Sequence, residues 1–206
     1  MKSVSDIAEL EAFYGLPVPA SLDKVRTTLT AAYRKWIEAS RFMVISTVGP
    51  EGTDASPRGD GGPVARIVDD KTIWIPDWLG NNRIDTLRNI VRDGRVSLMF
   101  LVRGSGNVVR VNGRARVTVE PGATGQFVQK GRHPRSVVIV EVEEAYFQCA
   151  KAILRSGLWT GNDDSPLVPT AGEFLREVRS DFDAETYDAS YAERARLCTR
   201  IVNSEG

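Results

Sequence analysis

The sequence predicts a mainly β protein: one compact antiparallel barrel with helices added at both ends. Strand-like segments fill the middle of the 206-residue chain, and helical periodicity dominates on either side. Short strands joined by tight turns favour a barrel or a sandwich over a parallel sheet. No repeat, low-complexity tract or linker divides the chain. We therefore expect a single domain over residues 1–206, with a barrel at 41–160 between helical extensions at 1–40 and 161–206.

Composition limits the possible functions. Hydrophobic residues make up 42% and charged residues 26%, which is typical of a folded, water-soluble protein. The 27 basic residues equal the 27 acidic ones, whereas a mainly electrostatic nucleic-acid binder carries a basic excess. No apolar run approaches the roughly 18 residues of a membrane span, and acids stand where a signal peptide has its apolar stretch. We expect a cytoplasmic protein that binds neither nucleic acid nor membrane.

Metal-binding and thiol side chains are scarce. The chain has one histidine, His133, and two cysteines, Cys149 and Cys198, with no CxxC or HExxH motif. This excludes a Cys/His zinc site within one chain and a disulfide framework, so no metal is expected. Cys149 is interpreted as a small buried hydrophobe rather than a nucleophile. Any redox chemistry therefore requires a bound organic cofactor.

The first forty residues are predicted to be helical. A short helix from about Ser5 would stop at Gly15, before a Pro-containing linker. A longer helix with Ser21 as its N-cap would follow, because apolar residues recur there at helical spacing. These apolar positions are Leu22, Val25, Leu29, Ala32 and Trp36.

The central region changes to the period of strands, with a short amphipathic helix at 80–94. Gly113 lies inside one strand and predicts a bulge or bend. Helical patterns return from residue 147. The predicted strand segments are 41–48, 53–59, a hairpin at 64–76, 95–102, 108–120 and 136–147.

The segment IPDWLGNNRIDTLRNI (75–90) is the first candidate site. A strand ends at Asp77, a polar glycine loop follows, and Asn82 and Arg83 are predicted to open a helix. N–H groups at a helix start attract an anion, and an arginine adds a bidentate donor that suits phosphate. The alternative is that an asparagine caps the helix and Arg83 is a solvated charge.

Arg58, in the stretch SPRGDGGPVAR, and Arg66, at its end, are the next candidates. Either one alone is normally a surface residue. If both converge with Arg83, they form a cationic pocket for a phosphate group.

Two further segments carry polar groups at regular spacing. Arg110 and Asn112 share one face of a predicted strand, which is most often the solvated face. Lys151 lies on a predicted helix with Arg155 four residues later, and Trp159 follows just beyond.

Several motifs, in this order, resemble those of the pyridoxamine 5′-phosphate oxidase-related FMN-binding proteins. They are PRGD (57–60), IPD-x-x-GNNR (75–83) and CAKA-x-x-RS-x-LW (149–159). The resemblance extends from about residue 40 to residue 160. It implies a six-stranded antiparallel split barrel of the FMN-binding type, which forms a homodimer with FMN at the subunit interface.

The resemblance also implies a role for each candidate residue. Asn82 and Arg83 would hold the phosphate, with Arg66 or Arg58 as the second cation. The backbone of Ile75, Pro76 and Asp77 would run along the flavin. The second subunit would close the site with Arg110, Asn112, Lys151 and Trp159.

Departures from the family pattern argue against pyridoxamine phosphate as the substrate. Asn-Asn-Arg replaces a Ser-Arg-Lys phosphate loop, and the strand at 61–66 lacks an Arg–Lys pair. Val108 stands in place of a flavin-contacting glutamine, and no histidine follows His133 to complete an Arg-x-His pattern. The leading hypothesis is an FMN-dependent oxidoreductase that acts on an unidentified small molecule, with no catalytic residue identified.

Three alternatives remain open at this point. The first is a flavin-binding module that stores, senses or carries FMN without turnover of its own. The second is a deazaflavin in place of FMN. The third is a flavin-free dimeric barrel that binds another phosphorylated ligand. A vacant apolar pocket beside the flavin would favour an enzyme. A flavin face covered by Trp78 or Trp159 would favour the module.

Dimerisation has a physical argument besides the resemblance. The segments VSLMFLV (96–102) and SVVIVEV (136–142) supply more apolar strand surface than one small barrel needs, and dimers bury such faces against each other. The alternative is that the N-terminal helix covers this face within one chain, through Leu29 and Trp36.

Overall fold

The computed structural model describes residues 1 and 3–199, with side chains described up to residue 191. The strands are β1 (Phe42–Gly49), β2 (Gly52–Gly59), β3 (Arg66–Ile67), β4 (Thr72–Asp77), β5 (Arg95–Leu101), β6 (Val108–Thr118) and β7 (Ser136–Gln148). The helices are α1 (Ile7–Tyr14), α2 (Pro19–Asp23), α3 (Ala31–Ala39), α4 (Asp85–Arg92), α5 (Pro121–Thr124), α6 (Lys151–Ser156), α7 (Ala171–Val178) and α8 (Ala184–Thr199). A 3₁₀ turn spans Ser165–Leu167.

The strands form one antiparallel sheet in the order β2-β1-β5-β6-β7-β4-β3. In the described chain the edge strands β2 and β3 do not pair with each other. The connecting segment instead follows the end of α3, where the Val64 N–H donates to the Ser40 carbonyl at 2.9 Å. The predicted antiparallel split barrel with flanking helices is confirmed, with seven strands rather than six because the two-residue β3 joins the sheet.

Alternating apolar residues build the barrel core. Met43 and Ile45 of β1 are buried, as are Leu98 and Phe100 of β5, because side chains at every second position of a strand face inward. The fully buried Ile37 of α3 joins the same cluster. The core thus lies between the curved sheet and α3.

The predicted bulge at Gly113 is confirmed. The β6–β7 register shifts between Asn112 and Gly113. A Cβ at residue 113 would overlap the backbone carbonyl oxygen of Glu141. Glycine is therefore required here by the close approach of the neighbouring strand.

The prediction of one long helix with Ser21 as its N-cap is wrong. Ser21 lies inside the short helix α2, and α3 begins after Thr30, whose Oγ1 accepts a hydrogen bond from the Tyr33 N–H. Between the two helices, Arg26 exchanges backbone hydrogen bonds with Ala145 of β7 at 2.9 and 2.7 Å. Pairing with the sheet has overridden the helical periodicity of this segment.

The N-terminal region nevertheless packs on the barrel as the intrachain alternative expected. Leu29 is buried, and Trp36 packs against the main core. The Trp36 Nε1 donates a hydrogen bond to the Phe100 carbonyl at 3.3 Å. By contrast, all residues of α1 are at least partly exposed.

The C-terminal extension is a helical hairpin. Thr170 and Glu173 form a capping box at the start of α7. The Asp188 carboxylate accepts hydrogen bonds from the Gly172 N–H and the Thr170 hydroxyl, which ties α7 to α8. Residues 200–206 of the predicted C-terminal helical extension lie outside the described residues, as does the side chain of Cys198.

The described residues contain neither a candidate membrane span nor a candidate metal site. None of the helices in residues 1 and 3–199 combines the length and apolarity that a membrane crossing requires. The same part of the chain has no group of three or more His, Cys, Asp or Glu side chains arranged to hold a metal ion.

Candidate functional site

The end of β4 positions the first group of candidate residues. Strand β4 pairs with β7, with Asp77 opposite Ser136. Ile75 and Pro76 are both buried, so their side chains belong to the protein interior. A ligand along this strand would meet backbone groups, which agrees with the type of contact expected for residues 75–77.

Arg58 and Asp77 form an ion pair across the split in the barrel. The Arg58 Nη1 donates to the Asp77 Oδ1 at 2.8 Å, with the two side chains 27% and 18% exposed. Arg58 lies on the edge strand β2 and Asp77 at the end of β4, so the bond joins strands that are not neighbours in the sheet. The Arg58 charge is thus already matched by a carboxylate.

Asn82 and Arg83 lie in the β4–α4 loop (residues 78–84). The prediction that they open the helix is wrong, because α4 begins at Asp85 with Ile84 at the N-cap position. Asn82 adopts a left-handed conformation with φ of 60°, and the Arg83 N–H donates to the Asn81 Oδ1 at 2.9 Å. The asparagine side chain shapes the loop and does not cap α4.

The Arg83 guanidinium pairs with the carboxylate in the first turn of α4. Its Nε donates to the Asp85 Oδ2 at 2.5 Å, and the Arg83 side chain is 80% exposed. The hydrogen bond raises the pKa of Arg83 and lowers the pKa of Asp85. The helix start therefore already has an anionic partner, and an incoming phosphate would compete with Asp85 for Arg83.

Arg66, unlike Arg58 and Arg83, lacks a carboxylate partner among the described residues. It lies on β3, and its Nη1 donates to the side-chain oxygen of Gln126 at 3.2 Å and to the Gln126 carbonyl at 3.4 Å. Within residues 3–191 no carboxylate lies within ion-pair distance of its guanidinium. Its positive charge remains available to a ligand.

Sequence analysis missed Arg135, which lies directly before β7. Its backbone N–H donates to the Asp77 carbonyl at 3.2 Å, and its Nη1 donates to the Asn82 Oδ1 at 2.8 Å. Arg135 thus contacts both ends of the β4–α4 loop. The basic stretch QKGRHPR (129–135) was a weak signal for it, but no local pattern indicates that this stretch folds back onto residue 82.

Asp60 of the PRGD motif was also missed as a site residue. Its Oδ2 accepts hydrogen bonds from the Trp78 Nε1 at 3.1 Å and from the Gln129 Nε2 at 2.6 Å. One carboxylate therefore connects three loops beside the end of β4. The PRGD motif indicated this aspartate, but the sequence does not show which side chains contact it.

Arg110 and Asn112 occupy the outward face of β6. The Arg110 guanidinium lies 5.4 Å from the centre of the Tyr146 ring. The Asn112 side chain accepts a hydrogen bond from the Ser97 hydroxyl at 2.6 Å and donates one to the Glu144 Oε1 at 2.5 Å. This face therefore carries an ordered polar network and is more than a solvated strand surface.

Lys151 and Trp159 lie at the end of the barrel, around α6. Lys151 is the exposed first residue of this helix, and the Trp159 Nε1 donates to the Ser105 carbonyl at 2.7 Å. The preceding Cys149 is exposed. Our interpretation of it as a buried hydrophobe is therefore wrong, because it lies in the turn after β7 rather than under the sheet.

The two groups of candidates are far apart within one chain. On β7, Asp77 pairs opposite Ser136 and Arg110 opposite Tyr146. Ten residues of strand separate Ser136 from Tyr146, which corresponds to about 33 Å along the strand. Asp77 and Arg110 therefore lie opposite the two ends of β7, and within the described residues no hydrogen bond or ion pair joins the group near β4 to the group on β6 and around α6.

A family model described as pyridoxamine 5′-phosphate oxidase matches residues 29–149. The match spans more than half of the chain and includes every candidate cofactor-binding residue except Lys151 and Trp159. No curated protein matches the chain significantly.

Several solved structures resemble the barrel. A variant of HupZ from Group A Streptococcus is 22% identical, with a TM-score of 0.49, over 58% of this chain and 99% of that one. A Lactobacillus delbrueckii protein provisionally named a pyridoxamine 5′-phosphate oxidase is 20% identical, with a TM-score of 0.48, over 59% and 95%. An F420 reductase is 14% identical, with a TM-score of 0.42, over 58% and 98%. At these levels of similarity no functional argument rests on the three structures.

Proposed function

The chain belongs to the pyridoxamine 5′-phosphate oxidase family, and from this membership we propose that it is an FMN-dependent oxidoreductase acting on a small molecule. The family match over residues 29–149 carries the proposal. The substrate proposed is not pyridoxamine phosphate, because the chain lacks the Arg-x-His pattern and the Ser-Arg-Lys loop of those oxidases.

The donors around the β4–α4 loop fit a phosphate group. Arg135 donates to Asn82 of this loop, whereas Arg66 lies on β3 and donates to Gln126; neither has a carboxylate partner within residues 3–191. Among the described residues, the backbone N–H groups of 79–82 have no protein acceptor. Guanidinium and backbone N–H groups are the donors that phosphate oxygens prefer.

The candidate residues then take distinct tasks. Asn82 and Arg83 hold the phosphate, with Arg66 as the second cation. Arg58 holds the Asp77 carboxylate, which keeps the end of β4 in place. The backbone of residues 75–77 lies along the edge of the flavin ring, because the side chains of Ile75 and Pro76 are already buried.

A bound flavin supplies hydride or electron transfer, and the protein supplies binding, orientation and nearby dipoles. The buried side chains of Ile75 and Pro76 make the protein interior beside this strand apolar. No side chain is assigned as an acid or base, since a substrate that arrives able to donate a hydride needs none.

The functional unit we propose is a homodimer with FMN at the subunit interface. Within one chain, Asp77 and Arg110 pair opposite the two ends of β7, and among the described residues no hydrogen bond joins the residues on β6 to those near β4. A second copy provides the missing wall through the partner subunit's Arg110 and the partner subunit's Asn112. The partner's Lys151 and the partner's Trp159 complete it. We place the dimer in the cytoplasm, where the exposed thiol of Cys149 stays reduced.

The experiment is a titration of flavin-stripped protein with FMN, followed by flavin fluorescence. Wild-type protein is expected to saturate, and Arg83→Ala to bind about tenfold or more weakly because a charge-assisted phosphate contact is lost. Arg92→Ala is the matched control, since Arg92 ends α4, is also exposed, and pairs with Glu51 rather than with a residue of the loop. Absence of FMN binding to the wild-type protein would overturn the proposal.

The same preparation separates the alternatives. Preferential binding of a deazaflavin over FMN would identify a deazaflavin-dependent reductase. Bound FMN that neither nicotinamide cofactors nor a panel of reduced small molecules can reduce would favour a storage or sensing module. A protein that binds phosphate but no flavin of either kind would support the flavin-free barrel.

A further inference from the structure

Arg135 occupies a fixed place beside the β4–α4 loop. It immediately precedes β7, and its backbone hydrogen bond to Asp77 continues the β4–β7 ladder by one residue. The position of its main chain is thus set by the barrel rather than by a flexible loop. The preceding residue, Pro134, is buried and restrains the chain on the other side.

The guanidinium of Arg135 is directed onto the loop. Its Nη1 donates to the Oδ1 of Asn82, the residue with φ of 60°. A left-handed backbone is uncommon for a residue other than glycine, and asparagine tolerates it best. The hydrogen bond from Arg135 therefore restrains the residue at which the loop changes direction.

The charge of Arg135 distinguishes it from two of the arginines already considered. Arg58 is paired with Asp77, and Arg83 is paired with Asp85. Arg135 contacts only an amide oxygen, and no carboxylate in residues 3–191 lies within ion-pair distance of it. A guanidinium has five N–H donors, so one bond to Asn82 leaves most of them free.

We propose that Arg135 is a phosphate-binding residue of the flavin site, and that it acts together with the free backbone N–H groups of residues 79–82. The inference rests on the proposed function and adds a residue to it. Arg135 is exposed, and a phosphate at the loop would meet its guanidinium without having to displace a carboxylate. Arg135 is therefore more readily available to a phosphate than Arg83, because the pairing of Arg83 with Asp85 must be broken first.

The alternative role for Arg135 is structural: it would only hold Asn82 in position. The two roles predict different effects on the binding of FMN and of riboflavin. A phosphate contact affects FMN and leaves riboflavin, which lacks the phosphate, unchanged. Loss of loop structure weakens the binding of both flavins.

The test measures the affinities of FMN and riboflavin for the wild-type dimer and for Arg135 variants, by quenching of flavin fluorescence. Arg135→Ala is expected to weaken FMN binding about tenfold or more, with riboflavin binding unchanged. Arg135→Lys keeps the charge and should restore part of the FMN affinity. Arg135→Gln keeps an N–H donor for Asn82 without the charge and should not.

Arg132→Ala is the matched control. Arg132 lies three residues earlier in the same basic stretch. Its backbone closes the turn with Gln129, and its exposed side chain makes no hydrogen bond or ion pair with the described residues. The substitution removes one positive charge from the region and should leave both affinities unchanged. Folding of each variant is checked by circular dichroism and by its denaturation midpoint.

Each outcome has a definite meaning. Equal loss of FMN and riboflavin affinity in Arg135→Ala, or rescue by Arg135→Gln, would overturn the phosphate role and leave a structural one. An unchanged FMN affinity in Arg135→Ala would overturn both roles. If the wild-type protein binds no FMN, or binds FMN no more tightly than riboflavin, the proposed phosphate site itself fails, independently of Arg135.

Discussion

The least exposed ion pair of the candidate site, Arg58–Asp77, spans the open side of the barrel. It connects β2 to the end of β4, two strands that share no backbone ladder. The pair therefore restrains the width of the split at the position where the flavin edge is proposed to lie. Its value is geometric more than energetic, because ion pairs that are partly exposed contribute little to stability.

Removal of Arg58 should release this restraint on the width of the split. Arg58→Ala leaves the partly buried Asp77 carboxylate without its partner, and we expect a loss of about 1 kcal/mol in the free energy of unfolding. FMN affinity should fall with it, because the end of β4 is no longer held. Urea denaturation and FMN titration measure the two effects, and Arg88→Ala serves as the exposed control. Unchanged stability and affinity would show that the pair is not a restraint.

Asp93, directly after α4, provides a pH-dependent contribution to stability. Hydrogen bonds from the side chain and backbone of Arg95 lower its pKa from the usual 3.8 to about 2. A lowered pKa in the folded state means that the carboxylate stabilises the fold above pH 4, and that this contribution is lost as the pH falls towards 2.

The acid dependence can be measured by comparison with Asp93→Asn. The denaturation midpoint of the wild type should exceed that of the variant at pH 5, and the difference should shrink as the pH is lowered to about 2. The exposure of the pair keeps the expected difference small. A difference between the two proteins that stays constant over this range would contradict the assignment.

At the residue scale, sequence predicted the types of side chain in the site better than their partners. Arg58, Asp77 and Arg83 were identified from motifs. Their ion pairs depend on how separate strands and loops meet, and a linear pattern does not contain that information. Arg135 was missed for the same reason, since its contact with Asn82 joins positions far apart in the chain.

At the element scale, the bulge in β6 is the most constrained feature of the sheet. Gly113 faces the Glu141 carbonyl so closely that a Cβ would overlap it. The neighbouring strand is anchored on both sides, by β6 and β4, so it cannot move away without distorting the barrel.

Gly113→Ala should therefore destabilise the protein by about 2 kcal/mol or more, because the added atom meets backbone rather than a flexible side chain. Gly122→Ala in α5 is the matched control: nothing lies within 4 Å of its Cβ position. We expect the control to be neutral or slightly stabilising. Urea denaturation of both variants provides the comparison, and equal effects would contradict the account of the bulge.

Elements with a strong local pattern were predicted correctly, and the segment that depends on tertiary pairing was not. The apolar residues of β1, β5, β6 and β7 were visible in the sequence because these strands bury them in the core, and the first five residues of β7 are buried on both faces. Residues 24–30 have helical periodicity, but Arg26 pairs with Ala145 and the Leu29 N–H donates to the Asp70 carbonyl. These contacts offer the backbone hydrogen bonds that a helix would otherwise supply.

At the scale of the whole molecule, the two groups of candidate residues share no hydrogen bond or ion pair within the described residues. One group surrounds the end of β4, and the other lies on the outward face of β6 and around α6. In the proposed dimer, each flavin lies between the two subunits and contacts one group from each. Neither subunit alone would then retain binding.

Mixing of two defective variants tests this arrangement. Arg83→Ala impairs the phosphate side, and Arg110→Ala impairs the wall contributed by the partner. After unfolding and refolding together, hybrid dimers should contain one site with both changes and one with neither, so that about a quarter of all sites recover. Light scattering confirms the dimer. Absence of recovery in the mixture would contradict a site shared between subunits.

The most direct test of the central claim is the visible absorption spectrum of the purified protein, recorded again after FMN is added to the stripped protein and to Arg83→Ala. We predict the two bands of oxidised flavin in the wild-type protein, as purified or after reconstitution, and their loss or marked weakening in the variant. A wild-type protein that shows no flavin bands, even after FMN is added, would contradict the assignment of this barrel as a flavoprotein.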